Sequence, residues 1–283
     1  MRLLCLDGQR RAGLSAASPG ASGTALSFES WDGLRIAYRT WGEQSASVPV
    51  VLHHGFVADA ETNWVATGLV ERLLAAGRRV VAPDARGHGR SEKPHDPARY
   101  GESRMARDLA TLVDVIGAEW IDLVGYSMGA IVALLYAASS SRVRRLAIGG
   151  VGAGVIECGG VDRRRVANDL IVTALASEDP IEIERMDPGA RAYRRLADAV
   201  GADRQALIAQ ASAIHRDGVV LGRIGAPTLL LAGEEDPLAE RPRVLVDALP
   251  DGRLRMLDGN HMSALGDPRF GESVVDFLAV QEE

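Results

Sequence analysis

Lysine is almost missing from this chain: of its 32 basic residues only Lys93 is not arginine. A Walker A phosphate loop needs a lysine after its second glycine, and a pyridoxal phosphate enzyme needs a lysine amine for its Schiff base. Lys93 stands in Ser91-Glu92-Lys93-Pro94 and fits neither. Cysteine is scarce too. Cys5 and Cys158 have no CxxC partner and no metal-ligand spacing, which excludes a disulfide framework and favours a reducing compartment. No apolar run approaches the roughly 20 residues of a membrane span. The opening Met1-Arg2-Leu3-Leu4-Cys5-Leu6 is too short for the apolar core of a signal peptide before Asp7 interrupts it. A cytoplasmic protein with no membrane partner is expected. The net charge of −6 lacks the basic excess of a nucleic-acid-binding surface and is too modest to name a partner.

What is present is ordinary for a globular protein: 283 residues, 47% apolar, 25% charged, with 31 Gly and 12 Pro. A chain of this length buries a full core without staples. Residues 1–23 are rich in Gly, Ser, Ala and Arg without hydrophobic period and are expected to form a flexible extension. From Thr24 the pattern changes. Leu26 to Glu29 and Leu34 to Trp41 flank the Asp32-Gly33 turn and predict a β-hairpin.

Compact apolar runs follow at Val50 to His53, Arg79 to Pro83, Ile121 to Gly125, Leu146 to Val151, Thr228 to Ala232 and Leu254 to Leu257. They read as strands buried on both faces. Helical spacing lies between them at Trp64 to Ala76, Glu102 to Ile116, Met128 to Ala138, Arg241 to Ala248 and Pro268 to Val280. Alternating strands and helices imply an α/β fold with a mainly parallel sheet. Between residues 152 and 222 no strand is evident, and Val161 to Ser177, Ala190 to Val200 and Arg204 to Ile214 have helical spacing. The expected organisation is therefore a core over 24–151 and 223–283 with a helical cap inserted at 152–222. Arg163, Arg164 and Arg165 read as a solvated helix face rather than an anion site.

Chemistry is concentrated at Ile121-Asp122-Leu123-Val124-Gly125-Tyr126-Ser127-Met128-Gly129-Ala130, an apolar strand followed by G-x-S-x-G and a helix. This is the context of a nucleophile elbow, which strains the central residue and thrusts its side chain outward. Ser127 is the candidate nucleophile, and the Met128 N–H, at the helix start, is a candidate oxyanion donor. Upstream, Val50 to Leu52 leads into His53-His54-Gly55-Phe56-Val57, where Gly55 permits close approach and the Phe56 N–H is the second candidate donor. A metal at His53 and His54 is disfavoured, because adjacent side chains in an extended segment diverge.

A serine hydroxyl needs a base, and the base needs an orienting acid. Thr228 to Ala232 ends in Gly233-Glu234-Glu235-Asp236-Pro237, and Asp236 is the candidate acid, with Glu234 and Glu235 as alternatives. The last strand leads into Asp258-Gly259-Asn260-His261-Met262, which makes His261 the candidate base. The order Ser127, Asp236, His261 places each group on a loop after a different strand.

From about Thr24 to Val280 the chain resembles the α/β-hydrolase superfamily. Besides the elbow it carries Asp84-Ala85-Arg86-Gly87-His88-Gly89-Arg90-Ser91, similar to that family's D-x-R-G-x-G-x-S loop, and Gly233 with Asp236 matches its G-x-x-D element. Arg86 and the loop glycines are expected to serve structure. Family members that attack carbon carry Asp at the elbow; serine suits attack on a carbonyl. Hydrolysis of a carboxylic ester or lactone, with no cofactor, is the leading expectation. The alternatives are C–C bond hydrolysis of β-diketone-type substrates, cofactor-free haloperoxidase or perhydrolase activity, and a hydrolase-like ligand receptor. The cap's single aromatic residue, Tyr193, suits a small to medium, partly polar substrate. Gly149-Gly150-Val151-Gly152-Ala153-Gly154 fails a dinucleotide fingerprint at Val155 and reads as a flexible exit from the sheet. Oligomeric state is not legible.

Overall fold

The computed structural model describes residues 23–43, 48–162, 164, 166–213 and 218–279. The expected N-terminal extension, apart from Gly23, lies outside the described residues, as do Cys5, Arg163, Arg165 and His215.

Eight strands form one sheet: β1 (Thr24–Glu29), β2 (Arg35–Trp41), β3 (Val50–His53), β4 (Val80–Pro83), β5 (Ile121–Tyr126), β6 (Val143–Gly149), β7 (Thr228–Gly233) and β8 (Gly252–Leu257). Their order is β1-β2-β4-β3-β5-β6-β7-β8. The hairpin strands pair antiparallel to each other and β2 pairs antiparallel to β4; every later pairing is parallel. Because strand side chains alternate between faces, the central strands serve two cores at once. Val51, Leu123, Leu146 and Ile148 pack on one face with α2 (Glu102–Val115) and α3 (Met128–Ser139). Leu52, Val124, Ala147 and Leu231 pack on the other with α1 (Leu69–Ala75) and α11 (Pro268–Ala279).

Between β6 and β7 lie α4 (Gly154–Glu157), α5 (Asn168–Ala176), α6 (Pro180–Arg185), α7 (Pro188–Val200) and α8 (Arg204–Ser212). Asp179, Asp187 and Asp203 cap three of them by accepting first-turn N–H groups, and Pro180 and Pro188 supply the preset φ of a first helical residue. Ile171, Leu175, Ala197 and Leu207 form a small separate core there, joined by Val57 from the loop after β3. The remaining α-helices among the described residues are α9 (Pro242–Asp247) and α10 (Ser263–Gly266). Among the described residues no helix is long and apolar enough to cross a membrane.

Several boundaries differ from the sequence expectation, each for a local reason. The helix expected over Trp64 to Ala76 is broken at Gly68, whose φ of 77° starts α1 afresh after a π-helical turn at Glu61–Val65. Strand β6 begins at Val143 because Arg144 reaches across to the fully buried Asp122 carboxylate of β5, at 2.5 and 2.8 Å, and so belongs to the sheet despite its charge. Strand β8 is not buried on both faces; it is the sheet edge and exposes Arg253 and Arg255. The segment 161–167 is not helical where described, so Arg164 lies on no helix face and instead pairs with Asp162 and Glu157, at 2.6 and 2.7 Å.

Candidate active site

β3 and β5 are neighbours, yet β4 lies beyond β3 and β6 beyond β5. The strand order reverses there, so the connections leave on opposite sides and a crevice opens past the carboxyl ends. Ser127 stands in it. Strand β5 stops at Tyr126 and α3 starts at Met128, so one residue makes the whole turn. Its φ of 54° and ψ of −116° are conformations that residues with a Cβ avoid, and its N–H is tied to the Gly149 carbonyl at 2.8 Å. A Cβ at Gly125 would strike the Gly129 carbonyl, and one at Gly129 would strike the carbonyl oxygens of His53 and His54. The spacing of the motif is therefore a packing requirement.

The loop after β8 delivers His261. Asn260 Oδ1 accepts the N–H groups of Met262 and Ser263, at 3.0 and 3.1 Å, and the Tyr126 hydroxyl donates to the His261 carbonyl at 2.6 Å. The imidazole lies 3.0 Å from Ser127 Oγ through Nε2 and 2.8 Å from Asp236 Oδ2 through Nδ1. The Asp236 side chain is fully buried, and its other oxygen accepts the Leu238 N–H at 2.9 Å. An ionised carboxylate only accepts, so it holds the proton on Nδ1 and leaves Nε2 free to accept from the serine. Glu234 and Glu235 are exposed, and of the three candidate carboxylates Asp236 is the one brought to His261.

The loop after β3 approaches the elbow from the other side: a Cβ at Gly55 would lie 3.4 Å from Ser127 Cβ. Among the described residues no acceptor engages the N–H of Phe56 or of Met128. His54 directs the first of these. Its Nε2 accepts the Ala85 N–H at 2.8 Å, so its proton sits on Nδ1, which donates to the Gly55 carbonyl at 2.8 Å. That carbonyl and the Phe56 N–H share one planar peptide, so the bond fixes where the N–H points. Burial keeps all three histidines here neutral: His54 is held below the usual imidazole range, and His53 and His88 are pushed down to about 3. Both His54 nitrogens are thus engaged, and among the described residues no group of three or more His, Cys, Asp or Glu is arranged to hold a metal.

A sequence model of the alpha/beta hydrolase fold matches residues 48–152, the half of the core that carries the β3 loop and the elbow. The solved structure of a hydrolase from Pseudomonas aeruginosa superposes with a TM-score of 0.71 at 26% identity, over 92% of this chain and 100% of that one. The chain has the α/β-hydrolase fold. Among curated relatives of this α/β-hydrolase fold chain, a non-heme chloroperoxidase from Streptomyces lividans is 38% identical over 101 residues, 35% of this chain and 33% of that protein. A bifunctional esterase/perhydrolase from Acinetobacter calcoaceticus is 38% identical over 98 residues, again 35% and 33%. The match thus spans about a third of these relatives' length.

In this α/β-hydrolase fold the Asp84 to Ser91 loop is a brace. Asp84 accepts the N–H groups of Ala60 and Arg90, at 3.0 and 2.8 Å. Arg86, with no exposed surface, forks onto Asp108 at 2.6 and 2.7 Å and onto Asp32 at 3.0 Å. Those partners hold the Arg86 pKa above its ordinary value, overcoming the burial that would lower it. The glycine run after β6 does more than exit the sheet: a Cβ at Gly150 would lie 2.9 Å from His261 Cε1.

A cavity of about 530 Å³ opens at Ser127 and His261, walled by Phe56, Tyr193, Leu196 and Met262 with Asn63 and Asn260 as polar points. Sequence reasoning missed Asn63, whose Oδ1 accepts the Gly55 N–H at 2.8 Å from the π-helical turn. It also missed Tyr126 and Gly150 as supports of His261. Burial, reinforced by the charge of Asp236, pushes the Tyr193 phenol up to about 12 and the Tyr126 phenol well above its usual value, so both remain hydrogen-bond donors.

Proposed function

We propose that the protein is a serine hydrolase that cleaves a carboxylic ester or lactone of a small to medium substrate through an acyl-enzyme. The reading is carried by the continuous hydrogen-bond chain from Ser127 Oγ through His261 to the buried Asp236, opening on a cavity large enough for such a substrate. His261 Nε2 takes the hydroxyl proton as Oγ bonds to the carbonyl carbon, and the carbonyl electron pair moves onto oxygen. The N–H groups of Phe56 and Met128, without acceptors among the described residues, receive that oxyanion. Collapse expels the alkoxide, which takes the proton from His261. Water, deprotonated by His261, then attacks the acyl-enzyme and Ser127 is released. Asp236 stabilises the imidazolium that forms in each half-reaction.

In this reading the helices between β6 and β7, within the inserted segment 152–222, cap the cavity through Tyr193 and Leu196. No step calls for a cofactor. The relatives with chloroperoxidase and esterase/perhydrolase activity support a secondary reaction at the same serine, in which hydrogen peroxide replaces water and releases a peracid. The test is turnover of p-nitrophenyl acetate by the wild type and by Ser127→Ala. Loss of at least about a thousandfold in kcat is expected; a folded variant with wild-type turnover refutes the reading.

A further inference from the structure

Ser127 borders two cavities. The large one is lined by His261 as well. A second, of about 50 Å³, lies on the Met128 side and is lined by Phe56, Ser127, Met128, Ile131 and Gln210, and not by His261. Two observations single out Gln210 of α8. It is 1% exposed, and its Oε1 has no hydrogen-bond partner among the described residues. Its Nε2 faces Met128 Sδ at 3.6 Å, which identifies the nitrogen, since a thioether accepts and cannot donate. A buried amide oxygen without a donor is uncommon in folded proteins and calls for a ligand or water to satisfy it.

The reaction decides what each cavity holds. The leaving oxygen must come within hydrogen-bond reach of His261 Nε2 to be protonated, so the leaving group belongs in the large cavity. The acyl substituent belongs in the small one. At one water-sized atom per roughly 10–15 Å³, that cavity admits about four non-hydrogen atoms. The carboxylate-bearing Glu102 and Asp162 also line it and offer poor company to an anionic group.

We infer that the small cavity selects a short acyl group carrying a hydroxyl donor, which Gln210 Oε1 accepts, so that the preferred substrates are esters of short hydroxy acids with a larger alcohol. This rests on the serine-hydrolase reading and names the substrate class of that site.

The test compares 4-methylumbelliferyl esters of glycolate, propionate and hexanoate on the wild type and on Gln210→Met. Glycolate and propionate have the same shape, so their ratio of kcat/KM isolates the hydroxyl. Two esters assayed on one preparation give a ratio independent of the folded fraction, and intrinsic ester reactivity cancels between variants. The wild-type ratio is expected to exceed that of Gln210→Met by at least about tenfold, and hexanoate is expected to be turned over more slowly than propionate. An equal ratio in the two proteins, or hexanoate cleaved as fast as propionate, overturns the inference while leaving the hydrolase reading standing. Absence of turnover of all three esters above the Ser127→Ala level overturns both.

Discussion

Acid should unfold this protein well above the pH at which its carboxylates protonate. His53 and His88 are buried beside His54, and burial together with that neighbour pushes each down to about 3. In the unfolded chain the same side chains titrate near about 6.5. Above that pH both states are neutral and stability is full. As pH falls below it the unfolded chain takes up protons that the folded rings refuse, so stability declines until pH approaches 3, where the folded rings also protonate. At pH ~5 each ring has cost ~2 kcal/mol, from RT ln of the ratio of the two binding polynomials. The figure barely moves if the folded value is nearer ~4, because either value leaves the ring neutral at that pH. The pair therefore removes ~4 kcal/mol from a total that for a domain is ~5–15 kcal/mol. His54, also depressed, adds to the loss in the same direction. Urea unfolding followed by tryptophan fluorescence, at steps from pH ~8 to ~5, measures this directly. His88→Asn removes one titrating ring and should flatten the dependence by ~1.4 kcal/mol per pH unit. Equal stability at both ends of that range, or an unchanged slope in the variant, would refute the reasoning.

Two further outcomes follow from packing. Arg86→Met leaves the Asp108 and Asp32 carboxylates without their buried cation and should cost ~3–5 kcal/mol in the same unfolding assay; a loss below ~1 kcal/mol would show that water compensates them. Gly150→Ala presses a methyl group onto His261 Cε1, at 2.9 Å, and should lower kcat by at least about tenfold with the fold retained; wild-type kcat would show that the imidazole has room to shift.

The sheet was legible in the sequence because its central strands are apolar on both faces, and the candidates Ser127, Asp236 and His261, which the structure brings within hydrogen-bond distance of one another, were picked out because each lies in the turn or loop that follows a strand. Legibility failed where charge enters the sheet. Arg144 and Arg145 interrupt the apolar run of β6, and only the Asp122 carboxylate across the ladder explains Arg144 there. The Asp179-Pro180 pair did announce helix α6, a cap signal that periodicity overlooked. Asn63, Tyr126, Gly150 and Gln210 carried no local signal. Their significance lies in contacts with residues distant in the chain, such as Met128 for Gln210, that the fold alone creates. For Cys5 and the rest of the leading 22 residues, sequence remains the guide, since they lie outside the described residues.

The seat of Gly129 against the carbonyls of His53 and His54 makes one mechanical unit of two segments that are far apart in the chain. The Phe56 and Met128 amides proposed as oxyanion donors come from opposite sides of that joint, so neither can be re-aimed by grafting a foreign loop on its own side. Redesign of specificity has freer ground in the helices between β6 and β7, no residue of which takes part in the joint. On the proposed reading, a library confined to α7 and α8 would vary what the protein accepts while sparing the proposed reacting groups.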